Sequence, residues 1–398
     1  MNDNNSSAVS DPMTFGKMVV PHDAWDRAPW NRWTFQHVRD MTPTAQVWRG
    51  PGPASPLHVD LQDIETVSFE INGRKETIGG FLQTDFTDGF LVLHRGKIVA
   101  ERYLNGMTER TPHLSQSVSK SIVGTVAGIL IERDMIDPQL PVTHYLPELE
   151  ATAYRGASVQ HVLDMTSGVV FDETYTAVDS HMAQLDAASG WKQTSNPLWP
   201  KSVWDLILTL KASECAHGAS FRYRSIETDV LAFVLQNASG VPLAELVSRE
   251  LWVPMGAGED AYFTVDAKGF ALADGGFNAT LRDYARFALL HLNAGRGYDG
   301  RQIVPRTWIL ETSTGGRPEL FGSIYHDVLP EGAYHNQFWI EDSKRCAYMA
   351  RGVFGQFVYI DRQSDFAVVK FSSWPEFLNV ERSQTALAAT HAIREALK

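Results

Sequence analysis

Apolar runs broken by Gly, Pro, Asn and Asp divide the chain into strand-like segments towards its two ends and helix-like ones in its middle. Phe90-Leu91-Val92-Leu93 and Ile98-Val99-Ala100 flank Arg95-Gly96, and two short apolar runs about a turn dipeptide predict a hairpin. Beyond it, Ser121-Ile122-Val123-Gly124-Thr125-Val126-Ala127-Gly128-Ile129-Leu130 carries no charge, and none comes before Glu132. A segment apolar or small on every side is a helix buried nearly all round.

From about 125 to 265 a 3.6-residue period recurs at Val159 to Met165, Val203 to Leu210, Thr228 to Ala238 and Leu243 to Leu251, which predicts an all-α region. After Gly275-Gly276 a helix is expected from Leu281 to Leu292. Alternating runs at Ala347 to Val353, Gln356 to Ile360 and Phe366 to Phe371 then predict strands, and a last helix starts near Glu381. Strands at both ends must share one sheet to be buried, so 25–124 and 266–398 form one α/β region with 125–265 inserted into it. Residues 1–24 are polar and expected to be loose, while Trp25, Trp30, Trp33 and Phe35 form an apolar clasp onto the body. Pro51-Gly52-Pro53-Ala54-Ser55-Pro56 is a stiff connector.

With 398 residues, 44% hydrophobic and 21% charged, the chain can bury a large core. A net charge of -12 disfavours nucleic acid and anionic membrane surfaces, and favours neutral or cationic small substrates. Two cysteines, Cys215 and Cys346, form no Cys-x-x-Cys pair, and the start Met1-Asn2-Asp3-Asn4-Asn5 has neither basic residues nor an apolar core. A soluble, cytoplasmic protein is expected. Gly295-Arg296-Gly297-Tyr298-Asp299-Gly300 follows a helix and leads to Pro305, so it is a turn rather than a dinucleotide loop. No Gly-x-Ser-x-Gly elbow or His-Glu-x-x-His occurs, and scattered histidines such as His217, His291 and His335 suggest no metal and no cofactor.

The candidate chemistry stands at the head of the buried helix, in Ser117-Val118-Ser119-Lys120. Residues three apart on a helix are neighbours, so the Ser117 hydroxyl and Lys120 amine can meet. An amine desolvated by burial can activate the serine, and the helix N-terminus favours negative charge developing beside it. The plainer alternative is a capping serine followed by a solvated lysine. It leaves unexplained why a lysine opens a buried helix. A Ser-Lys pair needs a group to protonate the leaving atom, and Tyr223, in Phe221-Arg222-Tyr223-Arg224-Ser225 at the entry to a helix, is the best candidate.

These residues, with His113 to Ser121, Ile136-Asp137-Pro138, Tyr145 to Leu149, Val162 to Met165, Thr228 to Ala232 and Ser372-Ser373-Trp374-Pro375, carry a resemblance. The chain resembles the serine hydrolases of the penicillin-recognising fold, which include class C β-lactamases, D-alanyl-D-alanine peptidases and related carboxylesterases, and most closely the nylon-oligomer hydrolases among them. The resemblance implies an α+β fold, an antiparallel sheet flanked by helices with an inserted all-α region and the active site in the cleft between. It implies Ser117 as nucleophile, Lys120 as its partner and Tyr223 as acid/base. The third motif falls at Ala350-Arg351-Gly352-Val353, so the N–H groups of Ser117 and Val353 would form the oxyanion hole.

Two departures stand out. Tyr223-Arg224-Ser225 replaces Tyr-x-Asn, and Ala350-Arg351-Gly352 replaces a basic Lys/His-Thr-Gly, which removes the cation expected to hold a β-lactam carboxylate. Strand alternation would point Arg351 away from Ala350 and Gly352. In the nylon-oligomer branch the segment ending at Asp186 to Trp191 covers the cleft. Asp186 would then attract a substrate ammonium, Tyr175 bond the scissile amide, Trp191 close over it and Asp274 add a second carboxylate. Solvated-loop or capping roles are an equal alternative for both aspartates. The expected function is an acyl-enzyme hydrolase of amides of small linear amino-acid oligomers and of short esters. The rivals are a carboxylesterase and a non-catalytic ligand sensor, and self-association into a homodimer is a further expectation left open.

Overall fold

The computed structural model describes residues 13–15 and 18–398. Its main sheet has eight strands: β1 (His58–Val59), β2 (Thr87–His94), β3 (Lys97–Tyr103), β4 (Ala333–His335), β5 (Phe338–Asp342), β6 (Ala347–Gly352), β7 (Gln356–Asp361) and β8 (Phe366–Ser372). Their spatial order is β4-β5-β6-β7-β8-β2-β3-β1, antiparallel except for the parallel pair β1 and β3. The two ends of the chain meet where β8 pairs β2, with Val368 opposite Val92.

Four helices matter most: α1 (Val118–Glu132), α2 (Ile226–Ser239), α3 (Leu281–Leu292) and α4 (Val380–Ala396). One sheet face packs Leu91, Leu93, Val358, Ile360 and Val369 into a core with α1 and α3. The other packs Phe90, Val92, Tyr359 and Val368 against Ala386, Leu387 and Ile393 of α4. Cover on both faces explains why β2 and β8 read as continuous apolar runs rather than clean alternations.

Helix α1 is buried from Val118 to Leu130. Its small residues are where neighbours press closest: Gly124 lies against the carbonyl of Asn336 and the side chain of Gln337, and Gly128 against the ring of Trp308. Two expectations need correction. The all-α stretch gives way before 265 to a strand, Ala261–Thr264, whose four residues are all buried and which joins Thr44–Val47, Phe277–Ala279 and His113–Leu114 in a second sheet. The helix from Leu243 is α-helical to Val247 and widens into a π turn over Ser248–Trp252, just before Pro254, which has no N–H to give to the carbonyl four residues back.

Of the segment expected to be loose, residues 1–12, 16 and 17 lie outside the described residues. Met13–Phe15 and Met18–Val20 pair antiparallel, and Val20 is buried. The clasp does dock: Trp25 and Phe35 are buried, with Phe35 edge-on to Phe354. Among the described residues no single helix is long and apolar enough to cross a membrane.

Candidate active site

The strand His113–Leu114, paired with Phe277–Ala279, leads the chain to Gln116, which takes a positive φ of 51°. That conformation is uncommon for a side-chain-bearing residue and turns the backbone sharply into α1. Ser117 follows as the N-cap residue, but its side chain makes no capping bond. The hydroxyl instead accepts a 2.8 Å hydrogen bond from Lys120 Nζ. Lys120 is 1% exposed, and its amine also donates to Ser225 Oγ at 3.1 Å and to the Asp274 carbonyl at 2.6 Å. With all three donors directed, the lysine is locked in place.

Tyr223 completes the triad: Lys120 Nζ stands 5.1 Å from its ring centroid, and its phenol feels the charge of Lys120. The turn carrying it is anchored by Arg224, which points inward to the Met165 and Arg222 carbonyls and to Glu214. The Tyr223 N–H donates to Tyr325 Oη, and its ring stacks on Trp339. Ser225 meets the lysine where related proteins would present an asparagine.

Beside the triad, Gly352 closes β6 so tightly that a Cβ there would lie 2.6 Å from the Ser115 carbonyl and 3.0 Å from Ser117 N. Val353 therefore follows within reach of the Ser117 backbone. Among the described residues no group accepts from the N–H of Ser117 or of Val353. Arg351 points to the α4 face, as alternation requires, where it stacks on Trp339 and bonds Ser383.

Ser117 and Val353 line two spaces. An inner pocket of only about 20 Å³ is bounded by Tyr175, Asp186, Trp191, Ser225 and Asp274, so the four expected substrate-binding residues do converge there. An outer groove of about 930 Å³, open to solvent, runs past Tyr223, Tyr325, Trp339 and Phe377. All four already have polar partners, Asp274 the Lys120 ammonium. Asp186 is bridged at 2.7 Å by Lys192, which also reaches Asp26 at 3.2 Å, and Tyr175 donates to Glu173 at 2.9 Å. Trp191 bonds Thr264 and receives the Trp25 indole N–H on its carbonyl, which ties the clasp to the pocket wall.

Sequence reasoning missed Glu173, Lys192 and Asp229. Glu173 accepts from the Ser225 hydroxyl at 2.5 Å and its N–H at 2.9 Å, so it fixes the serine that faces Lys120. Asp229 accepts from the N–H groups of Ala273 and Asp274. Only Asp229 left a trace, as one of two acidic residues, with Glu227, in the first turn of a largely apolar helix, and that reads equally as complement to the helix dipole.

Burial dominates the electrostatics. It would lower the Lys120 pKa, but attraction from Tyr223, Asp274 and Glu173 outweighs it and holds the amine above its ordinary value. Burial raises the Tyr223 phenol against the pull of Lys120. The resting site is thus an ammonium beside a neutral phenol. Burial and mutual repulsion raise Asp229 well up, while Asp274, also raised by burial, has the Lys120 ammonium 3.8 Å from Oδ2 to hold its charge. Burial lifts Asp186 to about 6 against the pull of Lys192.

A mainly antiparallel sheet between helical layers, with a buried serine and lysine at the head of α1 and a half-buried tyrosine from the entry to α2 beside them, defines a serine hydrolase. The chain belongs to the Beta-lactamase family, whose model matches residues 85–392. It is 36% identical over 357 residues, 89% of this chain and 88% of the relative, to the 6-aminohexanoate-dimer hydrolase of Paenarthrobacter ureafaciens. A Bacillus anthracis structure provisionally described as a 6-aminohexanoate-dimer hydrolase superposes with a TM-score of 0.86 at 29% identity, covering 94% of this chain and 96% of that one. A family VIII carboxylesterase shares the fold at TM-score 0.56 and 16% identity, over 77% of this chain and 92% of its own.

Proposed function

We propose that the protein hydrolyses the amide bonds of small linear amino-acid oligomers, and short carboxylic esters, through an acyl-enzyme on Ser117. The observation that carries this is the buried Lys120 amine bonded to the Ser117 hydroxyl at 2.8 Å with the half-buried Tyr223 ring 5.1 Å from that amine. The relative named for the 6-aminohexanoate dimer supports the substrate class.

Once the Lys120–Tyr223 couple has lost one proton to solvent, it takes the Ser117 proton as Oγ bonds the carbonyl carbon. The resulting oxyanion is received by the N–H groups of Ser117 and Val353, which have no other acceptor among the described residues. Tyr223 then returns a proton to the leaving nitrogen or oxygen and the bond to carbon breaks. Water, giving its proton to the same couple, cleaves the ester to release the acid and restore the serine. A pair that shares protons has apparent pKa values of its own, so the base is the couple rather than either member.

The test compares a linear aminohexanoate dimer with a short p-nitrophenyl ester. Turnover of both is expected; ester turnover with no amide cleavage assigns the protein to the carboxylesterases instead. Turnover of neither, with ligand binding unaffected by Ser117→Ala, would make it a sensor. We place the enzyme in the cytoplasm, where Cys215 and Cys346, both free, stay thiols.

A further inference from the structure

The two spaces beside Ser117 differ in which catalytic group they hold. Tyr223 lines the outer groove and not the inner pocket, whereas Ser117 lines both. On the reading of Tyr223 as the donor to the leaving atom, the leaving group lies in the groove, and the acyl side faces the inner pocket, whose walls must part to admit more than a water or two. The pocket presents the carboxylates Asp186 and Asp274, and Asp274 Oδ1 is buried without a partner. The groove holds Asp172, Glu173, Glu214 and Glu376, each already partnered, and beside them Arg351.

Arg351, like Arg49 and Arg362, is a half-buried arginine with no ion pair among the described residues. Arg224 has Glu214, Arg382 has Asp85 and Arg394 has Asp361. Arg351, half-buried on the groove wall, bonds only the neutral Ser383 Oγ at 3.2 Å among the described residues and lies 5.5 Å from the Trp339 ring centroid. Trp339 in turn stacks on Tyr223 at 5.2 Å. Burial with no anion beside it lowers the guanidinium pKa to about 10. A desolvated charge without a counter-charge is costly, and an anion that reaches it is held more strongly than at an open surface. The other arginines of the groove are less suited, since Arg222 is paired with Glu214 and Arg27 is exposed over Phe377.

We propose that Arg351 is a carboxylate subsite that reads a free acid on the leaving group. Resting on the function proposed above, it narrows the substrate to linear amides with an ammonium at the acyl end and a carboxylate at the leaving end. The cation that β6 lacks at Ala350 and Gly352 is supplied instead by Arg351 from its opposite face.

The test uses two acetyl esters, one of a six-carbon ω-hydroxy acid and one of the matching primary amide, so it can be read even if the protein cleaves no amide bond. In the wild type the acid should be preferred in kcat/KM, and the preference should shrink as salt is raised from about 20 to about 500 mM. Arg351→Met should lower the acid-to-amide ratio at least about tenfold, with Arg351→Lys retaining part of it. Overturning results are a ratio unchanged in Arg351→Met, or a parallel fall for both esters in both variants. The parallel fall would reduce Arg351 to a prop for Trp339 and Tyr223. A wild-type enzyme that shows no preference for the acid at low salt would overturn the subsite without any variant.

Discussion

Lys120 is the residue on which the chemistry turns, since an amine 1% exposed with three directed hydrogen bonds has no freedom to serve as a surface charge. Its raised pKa means that the couple must lose a proton before Ser117 becomes nucleophilic, so kcat/KM should rise with pH. Asp274 is one of the charges that hold that proton. Asp274→Asn should therefore move the rising limb of the profile to lower pH, and a limb that stays or moves upward would contradict the assignment. Tyr223→Phe removes the proton donor, with an expected loss of about 10²- to 10⁴-fold in kcat for amides. Esters should lose less, because an alkoxide leaves without needing a full proton. Paired assays on one amide and one ester check this.

At the scale of elements, the site depends on close backbone approach. The end of β6 meets the Ser117 backbone only because residue 352 has no side chain. Gly352→Ala should force the strand end away and cut kcat about 10²-fold with little change in melting temperature, as loss of one oxyanion donor would. Gly128→Ala is the contrasting case. Its Cβ would stand 2.3 Å from the Trp308 ring, far from the serine, so about 1–3 kcal/mol of stability should be lost in urea unfolding while kcat holds. The reverse pattern in the two variants would contradict the roles given to these helix and strand contacts. The same closeness shows why the sequence disclosed the elements better than the site. Periodicity located α3 at Leu281–Leu292 without error, and alternation located β6 to β8. Glu173 and Lys192 are loop residues whose role comes from folding across the chain, and no local pattern marks them. Tyr175 and Asp186 were legible as pocket residues, but their existing partners were not.

Across the whole molecule, both ends of the chain join in one sheet and the N-terminal clasp reaches the pocket wall through Trp25 and Trp191. Such burial carries ionisable groups into the interior, and Glu227 registers the cost. Burial raises its carboxyl to about 7 against the attraction of Arg224 and the bond from Ser167. A folded-state pKa above the unfolded value near 4.5 favours the fold fully below that value, and the benefit is lost as pH rises through about 7. Glu227→Gln, fixed in the neutral form, should be more stable than wild type by up to about 3 kcal/mol near pH 8 and converge with it below about pH 4.5. Parallel stability curves across that window would contradict the assignment.

The central claim is that a carbon–oxygen bond forms at Ser117. Rapid quenching of the enzyme with a slowly deacylating ester, followed by intact-mass spectrometry and peptide mapping, tests it directly. One acyl mass per chain on the peptide holding Ser117, lost in Ser117→Ala together with turnover, is the predicted result. Turnover that persists in Ser117→Ala, or an acyl mass on another residue, would contradict it.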